Sequence, residues 1–156
     1  MKLINFMSRF AALVMAGEKF QTIRAMRVEP FVAGDRLRLF YGLRTDRAVP
    51  IYDAIVVAIK PFRFLTAREG ADMIYVVEFG NRMGGRADIK SGWMIDLAHA
   101  DGFRSVEEFL AFFSEQAKKN GGTFVGQVVY WRPMTVRDSD PLPKHARRKL
   151  APWLKR

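Results

Sequence analysis

Cysteine is absent from the chain and histidine occurs twice. The first absence excludes disulfides, Cys-ligated zinc, iron–sulfur clusters and thiol nucleophiles together. The second, with His99 and His145 far apart in sequence, leaves little for a transition-metal site. Acidic residues are also few: 16 Asp plus Glu stand against 26 Lys plus Arg, a formal net charge of +10 that points to an anionic partner. Long apolar runs are missing as well. The stretch 1–17 begins like a leader, but Asn5, Ser8 and Arg9 interrupt it, and nothing else approaches the length of a membrane span. These absences together give the expectation of a soluble protein of the reducing cytoplasm that does not engage a membrane.

Most signatures of cofactor chemistry are lacking too. There is no phosphate-binding loop, no paired zinc motif and no G-x-S-x-G elbow, and Gly84-Gly85-Arg86 is too short for a dinucleotide fingerprint. His99 lies near Asp96 and Asp101, but one histidine and two carboxylates read more simply as a surface or capping histidine than as a metal site. No cofactor and no metal are expected.

Hydrophobic residues make up 49% of the chain and 13 of them are Phe, enough to bury a core in a single domain. The charge is unevenly spread. Between 132 and 156 stand eight basic residues against Asp138 and Asp140, so this segment holds +6 of the net +10. It also carries Pro133, Pro141, Pro143 and Pro152, which forbid a long helix but allow a short one over 144–150. We therefore divide the chain into a domain, 1–131, and a basic Pro-containing extension, 132–156. Arg147, Arg148 and Lys149 are its densest cations. Such an arm either solubilises the protein or grips phosphates by counterion release.

Apolar residues at Phe6, Phe10, Leu13 and Val14 predict a first amphipathic helix ended by Gly17. Residues 19–24 read as a strand. The turn Val32-Ala33-Gly34-Asp35 precedes an alternating run in which Leu37, Leu39, Tyr41 and Leu43 share one face and Arg36, Arg38, Phe40 and Arg44 the other. Residues 52–60 and 73–79 predict two more strands, with Phe62 and Phe64 between them. The polar, basic, glycine-rich stretch 80–86 is expected to be an exposed hairpin loop or a mobile flap. Ser105 opens a helix with Glu107 and Glu108 in its first turn and Phe109, Phe112 and Phe113 on its buried face, stopped by Asn120-Gly121-Gly122. Residues 123–131 form a last strand. Short strands without regular helical crossovers argue for an α+β fold: a small, mostly antiparallel β-barrel with peripheral helices.

The segment Gly17-Glu18-Lys19-Phe20-Gln21-Thr22-Ile23-Arg24 brings a lysine, a threonine and an arginine to the start of a strand. A threonine hydroxyl needs a nearby base to become nucleophilic. A lysine serves only where burial or positive neighbours favour its neutral form. Arg24 would be such a neighbour, or would hold an anion or a developing oxyanion. Strict alternation puts Thr22 and Arg24 on one strand face, so Lys19 belongs to the bend before the regular strand. The plainer reading makes Lys19 solvated, Thr22 a strand filler and Arg24 half of a structural ion pair.

This G-x-K-x-x-T-x-R pattern resembles the signature of the ASCH domain, a family of the PUA-like superfamily of small β-barrels associated with RNA. Gly34-Asp35 before an alternating strand, and Asp101-Gly102-Phe103-Arg104-Ser105-Val106-Glu107-Glu108-Phe109 entering a helix, are similar to the family's later landmarks. The resemblance spans about residues 3–131. It implies a PUA-like barrel that binds RNA or a nucleoside near Lys19, Thr22, Arg24 and Asp101. Some family members are compact amidohydrolases that deacetylate N4-acetylcytidine. For them it implies Lys19, Thr22 and Asp101 as the catalytic group, Asp101 standing where the family has a glutamate.

The face Arg36, Arg38, Phe40 and Arg44 is a second candidate, combining cations for phosphates with a ring for an unpaired base. The leading expectation is an RNA- or nucleoside-binding protein with a ligand cleft near the G-x-K-x-x-T-x-R motif, the tail adding sequence-independent affinity. The alternatives are the amidohydrolase, a ribonuclease in which Lys19 and Arg24 stabilise phosphorane-like charge, and a module whose tail binds a protein or DNA.

Overall fold

The computed structural model describes residues 1–70, 72–85 and 88–139. The tail residues Arg147, Arg148 and Lys149, the helix expected over 144–150, and Arg86 lie outside these. Contacts divide the chain into two units, each gathered from separated segments. The first holds Met1–Phe20, Glu29–Ile59 and the chain from Val129 on; the second holds Gln21–Val28 and Lys60–Val128.

In the first unit, the N-terminal residues form β1 (Lys2–Phe6) before the helix α1 (Ser8–Met15). The strand was not expected, because Ile4 and Phe6 merge with the apolar pattern of the helix. Their burial comes from pairing parallel with β3 (Arg36–Tyr41), Lys2 opposite Leu37 through Phe6 opposite Tyr41. The α1 helix buries Phe10, Ala11 and Val14. It stops at Gly17, whose φ of +70° places it in the left-handed region glycine enters without cost. The Gly17 N–H donates to Val14 O and the Glu18 N–H to Leu13 O, the paired bonds of a Schellman motif. The turn before β3 forms as expected, with the Asp35 N–H donating to Val32 O and the Val32 N–H to the Asp35 carboxylate.

Along β3, Leu37 and Leu39 are fully buried while Arg36 and Arg38 face out. The register then slips between Leu39 and Phe40. That irregularity ends the alternation, so Tyr41, expected beside Leu37 and Leu39, is 40% exposed. Antiparallel to β3 runs the start of β4 (Val49–Glu69). Trp131 of β7 (Thr123–Pro133) packs against Phe6 at 5.7 Å and donates from its indole to the Tyr52 hydroxyl at 3.0 Å. The short α4 (Val136–Ser139) follows.

In the second unit, the rest of β4 pairs antiparallel with β5 (Asp72–Phe79), setting Phe62 opposite Phe79 and Phe64 opposite Val77. The strand expected over 73–79 is β5, and the strand expected over 52–60 thus runs on through Phe62 and Phe64 as one strand of 21 residues. Pro61 is tolerated within it, and its carbonyl accepts from the Gly80 N–H. Of the two forms expected for the stretch after Phe79, hairpin loop or flap, it takes the hairpin: a two-residue turn, Gly80-Asn81, leads into β6 (Arg82–Gly84), antiparallel to β5. Two helices complete the unit, α2 (Gly92–Ala100) and α3 (Val106–Lys118). The Ser105 hydroxyl caps α3 by accepting from the Glu108 N–H at 3.2 Å, as its sequence indicates. Phe113 touches Phe62, Phe64, Phe103, Phe109, Phe112 and Phe124 with ring centroids 5.0–6.2 Å apart, the centre of an aromatic core.

The chain is α+β, with a mixed, mostly antiparallel sheet of seven strands. Pairing follows the path β1-β3-β4-β5-β6, with β7 joined to β4 and carrying β2 (Gln21–Ala25). The expected barrel is not closed: among the described residues no pairing returns from β6 to β1. One end of the path is a three-residue strand and the other runs directly into α1, so neither offers a ladder for closure.

Candidate ligand site on β2

The second unit brings three polar side chains from the sequence motifs together around β2. The first is placed by the end of α2. Gly102, at φ +97°, donates to His99 O, and the Phe103 N–H donates to Ala98 O. This second Schellman motif makes Asp101 the residue that closes the helix. Its carboxylate Oδ1 accepts from the Ile23 N–H of β2 at 3.0 Å, and Asp101 is only 5% exposed. The Asp-Gly-Phe sequence is therefore a device that stops a helix and delivers a buried carboxylate to a strand edge.

Thr22 and Arg24 share the other feature of the site. As alternation requires, they lie on one face of β2, and Arg24 Nε donates to Thr22 Oγ1 at 3.2 Å. Thr22 is 5% exposed and Arg24 is mostly buried. Desolvation pulls the Arg24 pKa down to about 10; the Asp101 charge opposes that shift and the Arg27 charge adds to it. The guanidinium stays ionised at neutral pH, held in a place that disfavours its charge. An anion arriving there recovers part of that cost. Backbone packing fixes the strand: a Cβ on Gly126 of β7 would lie 2.2 Å from Arg24 O, so only glycine permits this approach.

Gln21, which sequence reasoning passed over as a strand residue, is 6% exposed, and its Nε2 has no hydrogen-bond partner among the described residues. Only its position inside the motif marked it.

Lys19 and the candidates on the β3 face belong to the first unit. Lys19 lies in the bend between α1 and β2, as alternation demanded. It is not solvated: it is 2% exposed, its N–H donates to Leu13 O, and its ammonium sits 5.2 Å from the centroid of Phe10. The β3 face is occupied by its own neighbours. Arg38 makes a bidentate pair with Asp53 at 2.8 and 3.0 Å, which lowers the Asp53 pKa chiefly by hydrogen bonding. Arg36 donates to Asp138 O at 2.9 Å. Phe40 is half-buried, and Arg44 is exposed on the β3–β4 loop. His99 places Nε2 3.3 Å from Arg104 O. Among the described residues no three His, Asp or Glu side chains gather as metal ligands would. No helix among them is long and apolar enough to cross a membrane.

No family model, no curated protein and no solved structure matches the chain.

Proposed function

We propose that this protein binds RNA or a nucleoside through the Thr22, Arg24 and Asp101 cluster on β2. The reading joins the ASCH resemblance of the motif to one observation, the burial of its polar residues. An ionised arginine is expensive to desolvate, and a chain with no use for it there would place it in water. Arg24 would hold a phosphate or a base carbonyl, and Asp101 would accept from an exocyclic amine or sugar hydroxyl.

The test is titration of cytidine and of a short unpaired RNA into the protein and its Arg24→Gln variant. Loss of about tenfold or more in affinity is expected, since charge-assisted hydrogen bonds contribute roughly 1.5–3 kcal/mol each. Equal affinity in the variant sinks the reading.

A second reading, the amidohydrolase that the resemblance of the motif implies, draws on the burial of Lys19 and on that of Thr22. General-base lysines are those withdrawn from water. In this reading Lys19 takes the Thr22 proton, Thr22 Oγ1 attacks the acetyl carbonyl of N4-acetylcytidine, and the C–N bond breaks as the proton passes to N4. Water then hydrolyses the threonyl ester and releases acetate, with Asp101 as the orienting carboxylate. Mass spectrometry of acetate release by the wild type and by Lys19→Gln decides it: turnover in the wild type alone supports the enzyme, and none in either leaves binding.

A further inference from the structure

The β5–β6 hairpin carries a feature the site on β2 does not use. Phe79 ends β5, and its ring lies nearly parallel to that of Trp93 on α2, with centroids 6.4 Å apart and planes at 15°. Trp93 is seated by Gly84 of β6, where a Cβ would stand 2.7 Å from the indole. Both rings are half-buried, so they close one end of the core while presenting aromatic surface at its rim.

Cations flank them. The Lys60 ammonium sits over Phe79, 5.0 Å from the ring centroid. Arg82 is the register partner of Phe79 on β6, which puts the two on the same sheet face. Arg82 and Lys60 are exposed, and no ion pair joins Arg82 to a carboxylate among the described residues. On β3, by contrast, Arg38 is paired with the Asp53 carboxylate and Arg36 donates to the backbone carbonyl of Asp138.

We propose that Lys60, Phe79, Arg82 and Trp93 form a stacking platform for an unpaired RNA strand. A base settling on the Phe79 face takes the place of the Lys60 ammonium, which then pairs with the adjoining phosphate. Arg82 grips a phosphate on the other side. Rings for bases beside cations for phosphates are the means by which single strands are held without reading their sequence. The net charge of +10 favours the same partner. This platform rests on the reading of the protein as an RNA binder, and it adds a contact for the strand that a free nucleoside does not need.

The experiment measures affinity of the full chain for a labelled eight-nucleotide unpaired RNA, the same sequence as duplex DNA, and free cytidine, across salt concentrations. Four proteins are compared: wild type, Phe79→Leu, Lys60→Ser with Arg82→Ser, and Arg24→Gln. Phe79→Leu keeps an apolar side chain but no ring, and is expected to weaken RNA binding about tenfold with the salt slope unchanged. The double serine variant, at exposed positions, should shallow the slope by about two phosphate contacts. Neither should alter cytidine binding.

If only Arg24→Gln weakens RNA, the platform is wrong and the β2 reading stands. If the platform variants weaken RNA while Arg24→Gln changes nothing, the platform stands and the β2 reading falls. Preference for duplex DNA, or no RNA binding by the wild type, overturns the platform.

Discussion

Asp101 has two tasks that substitution separates. Its Oδ1 satisfies the buried Ile23 N–H, and its charge opposes the desolvation of Arg24. Asp101→Ala leaves that N–H unpaired and is expected to cost about 1–3 kcal/mol in urea unfolding. Asp101→Asn keeps an acceptor in place and should lose less. The asparagine also removes a negative charge beside the bound ligand. A binding protein should then hold a phosphate-bearing ligand more tightly, whereas an amidohydrolase that needs the carboxylate should lose turnover. Calorimetric titration with a cytidine monophosphate and an acetate-release assay read the two outcomes. The motif was visible in the sequence because its spacing survives folding: Thr22 and Arg24 alternate onto one face, and Lys19 falls before the strand. Its burial was not visible. Nothing local distinguishes a solvated lysine from one lying over Phe10, because the ring arrives from a helix folded back upon it.

Elements announce themselves when their ends carry chemistry. The α3 helix was legible because Ser105, Glu107, Glu108 and the Phe repeat agree, and Ser105→Ala is expected to lower stability by about 1 kcal/mol in chemical denaturation. No such signals mark α2. Its Ser91 makes no side-chain cap and its first turn holds no acid. Its apolar residues bury one face against α3, an element that follows it in the chain. For β1, parallel pairing with a strand thirty-odd residues away leaves no local turn to betray it. The β2–β7 contact yields a sharper test: Gly126→Ala drives a methyl into Arg24 O. Overpacking of this kind is expected to cost roughly 1–3 kcal/mol or more and to displace Arg24, so ligand affinity should fall together with the melting temperature.

At the scale of the molecule, sheet closure was the least legible property, since it depends on pairing between the first and later strands rather than on any segment. Charge has a clearer global consequence. Asp53, Glu78 and Asp138 each accept hydrogen bonds from an arginine, which lowers their pKa values below the ordinary carboxylate range. A carboxylate held lower in the folded state than in the unfolded chain adds stability above its unfolded value, near pH 4, and loses it as pH falls further. Unfolding free energy is therefore expected to be level from neutrality to about pH 5 and to decline below about pH 4. Asp138 collects the most bonds, from Arg132 and from both donors of Thr135. Asp138→Asn should flatten the acid limb most among the three, as followed by circular dichroism.

The strand β7 spans the boundary of the two units, its first residues in one and its last in the other. On the ribosome, then, neither unit has its share of β7 until translation has passed Thr123, the second unit's share ending at Val128 and the first unit's beginning at Val129. The strands β1, β3, β4, β5 and β6 have one another to pair with beforehand, while β2 waits for β7, and both units gain their part of that strand within about a second of each other, at the pace of roughly 5–20 residues per second. A nascent chain halted before Thr123 is expected to leave β2 without its β7 partner, so the candidate site takes shape only after β7 has been made.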